Sequence, residues 1–407
     1  MAVGTFAIRP AFGIHLENTE IDAKLNFLLA VSALEFSNND LARFIGPLFE
    51  EWRNVEIHGA NMAANGWQVN ERLVLSVYFG ENQGVNSIVN VAIHSSQFPE
   101  RVRMDLLESL RQRAVNHKFH YDSVKQTQRW LALHQAYSPS RNDVDCGATY
   151  DRAFEAAVAG LDSEKIHLIG LGCGGGQKDT RLLKLLKCRR KLGSYTPCDV
   201  STAMVLTARQ MALSALTEEN CFPLVCDLLR ADDLVSVLAV RHPALITFFG
   251  MIPNFEPETI LPKLGALIQN EDVLLFSANL APGFDYDTGV GKVLPQYDNQ
   301  ATRDWLLTFL FDLGVESHDG MLNFTVEQVG PLKRIAAYFE FTHERSLAVE
   351  DQKFDFRRGD RIRLFFSYRY TPALVCEVLT KHGLVVVDEW ITKSEEEGVF
   401  LCCRSSG

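Results

Sequence analysis

Gly170, Gly172 and Gly175 fall in the spacing G-x-G-x-x-G, directly after the apolar run Ile166-His167-Leu168-Ile169. The cluster continues through Gly176 into Gln177-Lys178-Asp179-Thr180-Arg181-Leu182-Leu183-Lys184-Leu185-Leu186, whose leucines recur at helical spacing. A strand, a tight glycine turn and a helix N-terminus together cradle a nucleotide-containing cofactor. Asp199 ends the next apolar run, at the distance expected of an acid that holds ribose hydroxyls. These residues alone leave two chemistries open: hydride transfer with an NAD-type dinucleotide, or methyl transfer from S-adenosylmethionine. The residues downstream tilt the choice. Val225-Cys226-Asp227-Leu228 sets an acid at the edge of a third run, where methyltransferases meet the adenine amino group. Asn254 is a lone amide within Phe248-Phe249-Gly250-Met251-Ile252-Pro253-Asn254-Phe255, just past a fourth run. Ligands gather at such strand ends in open α/β sheets. An NAD-dependent oxidoreductase would also need a proton-transfer set, and no Tyr-x-x-x-Lys follows the fourth run.

Those strand ends need a framework. Strands are expected at 166–171, 193–199, 221–226, 244–249 and 273–278, with helices between them. That alternation predicts an α/β fold, Rossmann-like, with a mostly parallel sheet covered on both faces. Residues 283–322 read as helical and break the alternation. Strands follow at 335–341 and 361–370, then a helix at 372–382 that ends at Gly383. Runs at 384–391 and 398–403 read as a closing hairpin that makes the last strand antiparallel. Upstream, helices are expected at 22–35 and 38–52, the second capped by Asn38-Asn39-Asp40. Strands at 71–79 and 87–93, with Gly80 and Gly84 between, read as a hairpin. Helices are expected at 99–115, 122–136 and 151–161. The resulting division is an N-terminal α+β unit at 1–100, a helical segment at 101–160, a core at 161–282, a substrate region at 283–370, and a closing helix and hairpin at 371–407.

Composition narrows the function. The chain has 407 residues, 47% hydrophobic and 22% charged, which is ordinary globular usage with a sizeable core. Its net charge of −11, without a basic block, argues against nucleic acid. No run approaches the ~18 apolar residues of a membrane span. Met1-Ala2-Val3-Gly4-Thr5-Phe6 does not open a signal peptide. The nine cysteines are scattered, and Cys198, Cys226, Cys402 and Cys403 sit in apolar runs. They are expected to be free thiols in a reducing cytoplasm, and no metal site is expected. His117, His120 and His134 are near neighbours without ligand spacing and read as surface or pocket-wall residues.

Several segments, taken in order, carry a family resemblance. They include Phe119-His120-Tyr121-Asp122-Ser123, Tyr137-Ser138-Pro139-Ser140-Arg141 and Tyr195-Thr196-Pro197-Cys198-Asp199-Val200-Ser201. They continue with 249–257, Gln296-Tyr297-Asp298, Lys333-Arg334-Ile335 and Phe366-Ser367-Tyr368-Arg369-Tyr370. The chain from about residue 103 onward resembles the histidine-specific Nα-methyltransferases of ergothioneine biosynthesis. Relatives of that family include dimethylallyltryptophan N-methyltransferases. The resemblance implies a class I methyltransferase fold and S-adenosylmethionine as cofactor. Gly170, Gly172 and Gly174 would let the backbone approach it, with Lys178 near its carboxylate. Asp199 would hold the ribose, and Asp227 and Leu228 the adenine. Tyr121, Tyr137, Asn254, Tyr297 and Ser367 match residues around the amino acid's amino and carboxylate groups. Tyr297 and Asn254 would orient the amine for attack, with Tyr297 as proton relay.

Two departures point to the substrate. A glutamate grips the imidazole in histidine-specific members, and the matching position here is Phe365. A methionine lining that pocket is replaced by Ala337. Imidazole N–H groups left unpaired would cost ~1–3 kcal/mol each. The expectation is N-methylation of a free amino acid or a small amine derived from one, larger or more apolar than histidine. The rival readings are methylation at a guanidine, ring nitrogen or carbon, and a methyltransferase-like binding protein without turnover. A homodimer through residues 1–100 is also expected, because strand edges there need covering.

Overall fold

The structure, a computed structural model, describes residues 57–63, 66–75, 89–138, 142–238, 243–269 and 271–405. The chain divides into two compact units, Met1–Val89 and Asn90–Gly407. In the first, β1 (Ile57–Ala63) and β2 (Gly66–Leu75) form an antiparallel hairpin, with a register shift between His58 and Ala60. This corrects the expected hairpin. Residues 71–75 are a strand, but their partner precedes them, and the second expected strand belongs to the other unit. The helices expected at 22–35 and 38–52 lie outside the described residues.

The second unit is built on an eight-stranded sheet. Its strands are β3 (Ala92–Ile93), β4 (Ile166–Leu171), β5 (Leu192–Asp199), β6 (Leu224–Val225), β7 (Ala244–Phe248) and β8 (Val273–Asn279), closed by β14 (Leu384–Ile391) and β15 (Glu397–Arg404). The spatial order is β14-β15-β8-β7-β4-β5-β6-β3. All pairs from β3 to β8 are parallel, and β15 runs antiparallel to both of its neighbours. β4 and β7 are buried at every residue, as strands covered on both faces must be. Their unbroken apolar runs are the reason they are legible in the sequence. β6 is only two residues long where six were expected. Pro223 just before it has no N–H to donate to a ladder.

Between β8 and β14 the chain makes two helices, Tyr286–Tyr297 and Gln300–Asp312, and then turns to strands. β9 (Gly320–Val329), β10 (Leu332–Phe341) and β13 (Arg361–Arg369) form an antiparallel sheet in the order β13-β10-β9. β11 (Arg345–Val349) and β12 (Gln352–Phe356) make a separate hairpin. The helical reading of 283–322 therefore overran its end. β9 is a sheet edge with a single buried residue, Leu322, so it lacks a clean apolar alternation. The β11–β12 turn carries Glu350 at φ 53, without the glycine that usually announces such a turn.

Hydrophobic clusters cover both faces of the large sheet. A third lies between the helix Gln300–Asp312 and the three-stranded sheet. No helix among the described residues is long and apolar enough to cross a membrane. All nine cysteines are unpaired.

Candidate active site

The glycine turn Gly172–Gly176 leaves the carboxyl end of β4 and enters the helix Gln177–Cys188. Gly172 has φ +60, and a Cβ there would lie 2.6 Å from Met251 Cγ. Gly176 has φ +75, and its Cβ would lie 2.6 Å from the Ala208 Cα. Only glycine meets both demands, of backbone angle and of close approach. Gly170 has a different task. A Cβ there would sit 2.0 Å from Asp179 Oδ2. Its hydrogen leaves room for a buried carboxylate that accepts from Tyr195 Oη (2.7 Å) and Thr247 Oγ1 (2.8 Å). Burial raises the Asp179 pKa to about 6, against the pull of those two hydroxyls.

Above this turn lies a cavity of about 420 Å³, within the usual range for small-ligand sites. Its floor includes Leu171–Gly175, Asp199, Asp227 and Leu228. Asp199 is held open by peptide N–H groups: Gly174 N donates to Oδ2 and Ser201 N to Oδ1, each at 3.0 Å. Burial raises its pKa, and those same N–H groups oppose the rise. Asp227 is 3% exposed. Its Oδ1 accepts from Leu229 N at 2.9 Å, and its buried Oδ2 has no hydrogen-bond donor. Lys118, itself 2% exposed, lies 3.4 Å from that oxygen and 2.6 Å from Asp105. A buried carboxylate oxygen that is ion-paired but accepts no hydrogen bond fits an exocyclic amine, as adenine would supply. Lys178 lines the cavity, donates to Tyr150 Oη at 2.9 Å and lies 4.2 Å from that ring's centre. Burial lowers its pKa. Tyr150 in turn bonds to Glu397 on β15. An ammonium beside a helix N-terminus fits the carboxylate of a methionine moiety.

The acceptor side is assembled differently. Tyr121 and Asn254 line the cavity, together with Trp130 and His117. Burial, and then the charge of Asp199, raise the Tyr121 pKa. Asn254 Nδ2 donates to Gly250 O at 3.3 Å. Ser367, Tyr297 and Phe365 are not among the cavity-lining residues. They form a second group one strand along, at the carboxyl end of β8. Tyr297 Oη donates to Ser367 Oγ at 2.9 Å, and Asn279 Nδ2 reaches that oxygen at 3.3 Å. A run of rings joins the two groups: Tyr121 to Trp305 (5.6 Å), Trp305 to Phe365 (5.8 Å) and Phe365 to Tyr297 (6.2 Å). Ala337 and Phe365 are direct partners across β10 and β13, and Phe324 faces Ala337 from β9. Ala337 is fully buried. Tyr137 is 58% exposed at the end of the helix Val124–Tyr137, and the structure does not bring it to this group.

Sequence reasoning assigned no cofactor role to Lys118, Ser96 or Gln97. Asp227 N donates to Ser96 Oγ at 3.0 Å, and Gln97 Nε2 donates to Val200 O at 2.6 Å. Both residues lie ahead of the motifs, and nothing local in the sequence marks them. His117 and His120 diverge from their shared reading. His117 is a pocket wall, lying between Tyr121 (5.3 Å) and Phe255 (5.1 Å). His120 is wholly buried and bonds to Leu364 O at 2.6 Å. Burial lowers their pKa values to about 3 and about 4, so both are neutral at pH 7.

Strand order, glycine turn and paired strand-end acids define a class I, S-adenosylmethionine-dependent methyltransferase. The sequence profile described as histidine-specific methyltransferase, SAM-dependent, matches residues 102–404. The chain belongs to that family. It is 25% identical over 277 residues to the N-methyltransferase imqF of Aspergillus flavus, covering 65% of this chain and 73% of that protein. Among solved structures it is similar to an S-adenosylmethionine-dependent methyltransferase of Clostridium acetobutylicum, at 15% identity and TM-score 0.39, over 69% of this chain and 99% of that one. It is also similar to magnesium protoporphyrin IX methyltransferase of Synechocystis, at 13% identity and TM-score 0.38, over 70% and 97% of the two chains.

Proposed function

We propose that this methyltransferase acts on the amine nitrogen of a free amino acid, or of a small amine derived from one, whose side chain is flat or apolar rather than imidazole. The observation that carries this reading is the row Phe324, Ala337, Phe365 across β9, β10 and β13, with Trp305 against Phe365. An imidazole placed there would leave N–H groups unpaired, at ~1–3 kcal/mol each. The similarity to an N-methyltransferase supports nitrogen as the acceptor atom.

Bound S-adenosylmethionine supplies an electrophilic methyl group on sulfur. The chain supplies alignment. Asp199, Asp227, Lys178 and the peptide groups of Gly172 and Gly174 would hold the cofactor. Asn254 spends Nδ2 on Gly250 O, which leaves Oδ1 to accept an amine N–H and aim the lone pair. Tyr121 and Trp130 wall the cavity and keep water from the reacting atoms. Attack requires a neutral amine, so the arriving ammonium must first give up a proton.

Calorimetry with amino acids and their derivatives, in the presence of S-adenosylhomocysteine, tests the pocket. Aromatic or apolar acceptors should bind at least ~10-fold more tightly than histidine, the weight of one lost hydrogen bond. Tighter binding of histidine would sink the reading. Mass spectrometry of product made with methyl-labelled cofactor tests the acceptor atom. The unpaired cysteines support a cytoplasmic compartment. Among the described residues neither outer edge of the β1–β2 hairpin is paired, which supports self-association through the first unit, as sedimentation of the full chain measures.

A further inference from the structure

Lys118 stands between two buried carboxylates and does not treat them equally. Its Nζ donates to Asp105 Oδ2 at 2.6 Å and lies 3.4 Å from Asp227 Oδ2. All three side chains are almost wholly removed from water. Asp105 has further cations at hand: Arg230 Nη2 lies 2.8 Å and Arg101 Nε 3.5 Å from its Oδ1. Asp227 has Lys118 alone among the described residues. The ammonium thus leans toward the carboxylate that needs it less. Asp227 Oδ2 keeps a counter-charge but accepts no hydrogen bond.

The local chain fixes this bias. Asp105 sits on the helix Pro99–Gln112, and Lys118 on the short turn His117–His120 that follows. Asn116 ties the two together: its N–H donates to Ser109 Oγ (3.0 Å), and its Oδ1 accepts from Lys118 N (3.1 Å). Ser109 Oγ in turn donates to Asp105 O at 2.7 Å. Lys118 and Asp227 both line the cavity. A buried carboxylate with no counter-charge would be costly. An ammonium bonded to Asp227 would be as damaging in another way. It would occupy the oxygen that a ligand N–H must reach, and it would aim donors at a donor. A cation near enough to neutralise, yet too far to bond, meets both demands.

Resting on the placement of adenine at Asp227, we infer that Asp105 is a positioning residue that holds Lys118 back from Asp227, so that the Lys118–Asp227 pair selects a base with an exocyclic amine over one with a carbonyl oxygen. Without that restraint Lys118 closes on Asp227, and the pocket offers a donor where it had offered an acceptor.

Calorimetry on the full chain compares S-adenosylhomocysteine with its hypoxanthine analogue, in which a carbonyl oxygen replaces the exocyclic amine. The unaltered chain should prefer adenine at least ~30-fold, the weight of a hydrogen bond to a charged group. Asp105→Asn keeps the shape and weakens the hold on the ammonium. It should bind S-adenosylhomocysteine ~10-fold more weakly and the hypoxanthine analogue no more weakly, so the preference falls ~10-fold. An unchanged preference, or equal loss of both ligands, would make Asp105 a structural ion-pair partner only and overturn the inference. Should Asp105→Asn fail to fold, Lys118→Met decides. It leaves Asp105 with its arginines and Asp227 without a counter-charge, which favours the neutral carboxyl, a donor as well as an acceptor. The preference should again fall ~10-fold, and an unchanged one would overturn the inference. Asp227→Ala tests the placement itself. It should cost S-adenosylhomocysteine ~30-fold and the hypoxanthine analogue far less. Equal losses there would overturn the placement of adenine, and an unaltered chain indifferent to the base would overturn both.

Discussion

Around Gly172 and Asp199 the candidate site is shaped by a backbone turn and by peptide N–H groups that fix Asp199, whereas around Ser367 it is a network of side chains. The first region draws on one turn and the ends of adjacent parallel strands. The second gathers Tyr297 from a helix, Asn279 from β8, and Ser367 and Arg369 from β13. A backbone-built region depends on glycine and tolerates change only where side chains point away. A side-chain-built region can be rewritten residue by residue without touching the sheet. Under the proposed function, the cofactor half stays constant while the acceptor pocket can change at positions such as 337 and 365.

The largest expected effect falls on the backbone-built half. Gly176→Ala would press a Cβ against the Ala208 main chain at a positive φ. It should cost ~3 kcal/mol or more and abolish S-adenosylhomocysteine binding, read by chemical denaturation and calorimetry. A stable variant that still binds would mean the turn is less constrained than its geometry. Acid should then separate the halves. His120 has a folded pKa of about 4 against 6.5, so its contribution is present above pH 6.5 and is lost as pH falls. That loss amounts to ~3 kcal/mol by pH 4. Asp179 has a folded pKa of about 6 against 3.8, so its contribution is full below pH 3.8 and fades as pH rises through 6. Hydrogen exchange at pH 5 should loosen β13 and the helix Gln300–Asp312 relative to β4. Uniform loosening would erase the distinction.

Asp199→Ala should weaken S-adenosylhomocysteine binding ~100-fold, since it removes a charged hydrogen-bonding group. Acceptor preference, once saturated with cofactor, should stay unchanged. Phe365→Glu should do the reverse and to a smaller degree. Cofactor affinity should hold within about twofold, while histidine gains on the preferred acceptor by ~10-fold in kcat/KM. If that variant loses cofactor binding instead, the two halves are one unit.

What was legible in the sequence follows the same division. β4, the glycine turn and the helix after it are contiguous, so periodicity and spacing reveal them together. Asp199 is legible because it ends β5, and Asp227 because it lies two residues past β6. At Gly170 the structure adds a demand that spacing does not show, since Asp179, in the first turn of the next helix, occupies the room a Cβ would need. Lys118 meets Asp105 and Asp227 only after folding, and no local pattern announces a buried ion pair. β9 escaped because an edge strand need not alternate, and the β11–β12 hairpin because Glu350 stands where glycine would signal a turn. The Ala337–Phe365 pairing is a matter of register, which spacing alone does not set.

Glu397 opens the last strand of the sheet and bonds to Tyr150, which in turn receives Lys178 at the cofactor cavity. A ribosome delivers that strand more than 200 residues after the glycine turn. Until it emerges, the glycine turn can be made but Lys178 lacks its brace, and β8 lacks an antiparallel neighbour. A chain that stops short of β15 would keep the glycine turn and lose the brace on Lys178.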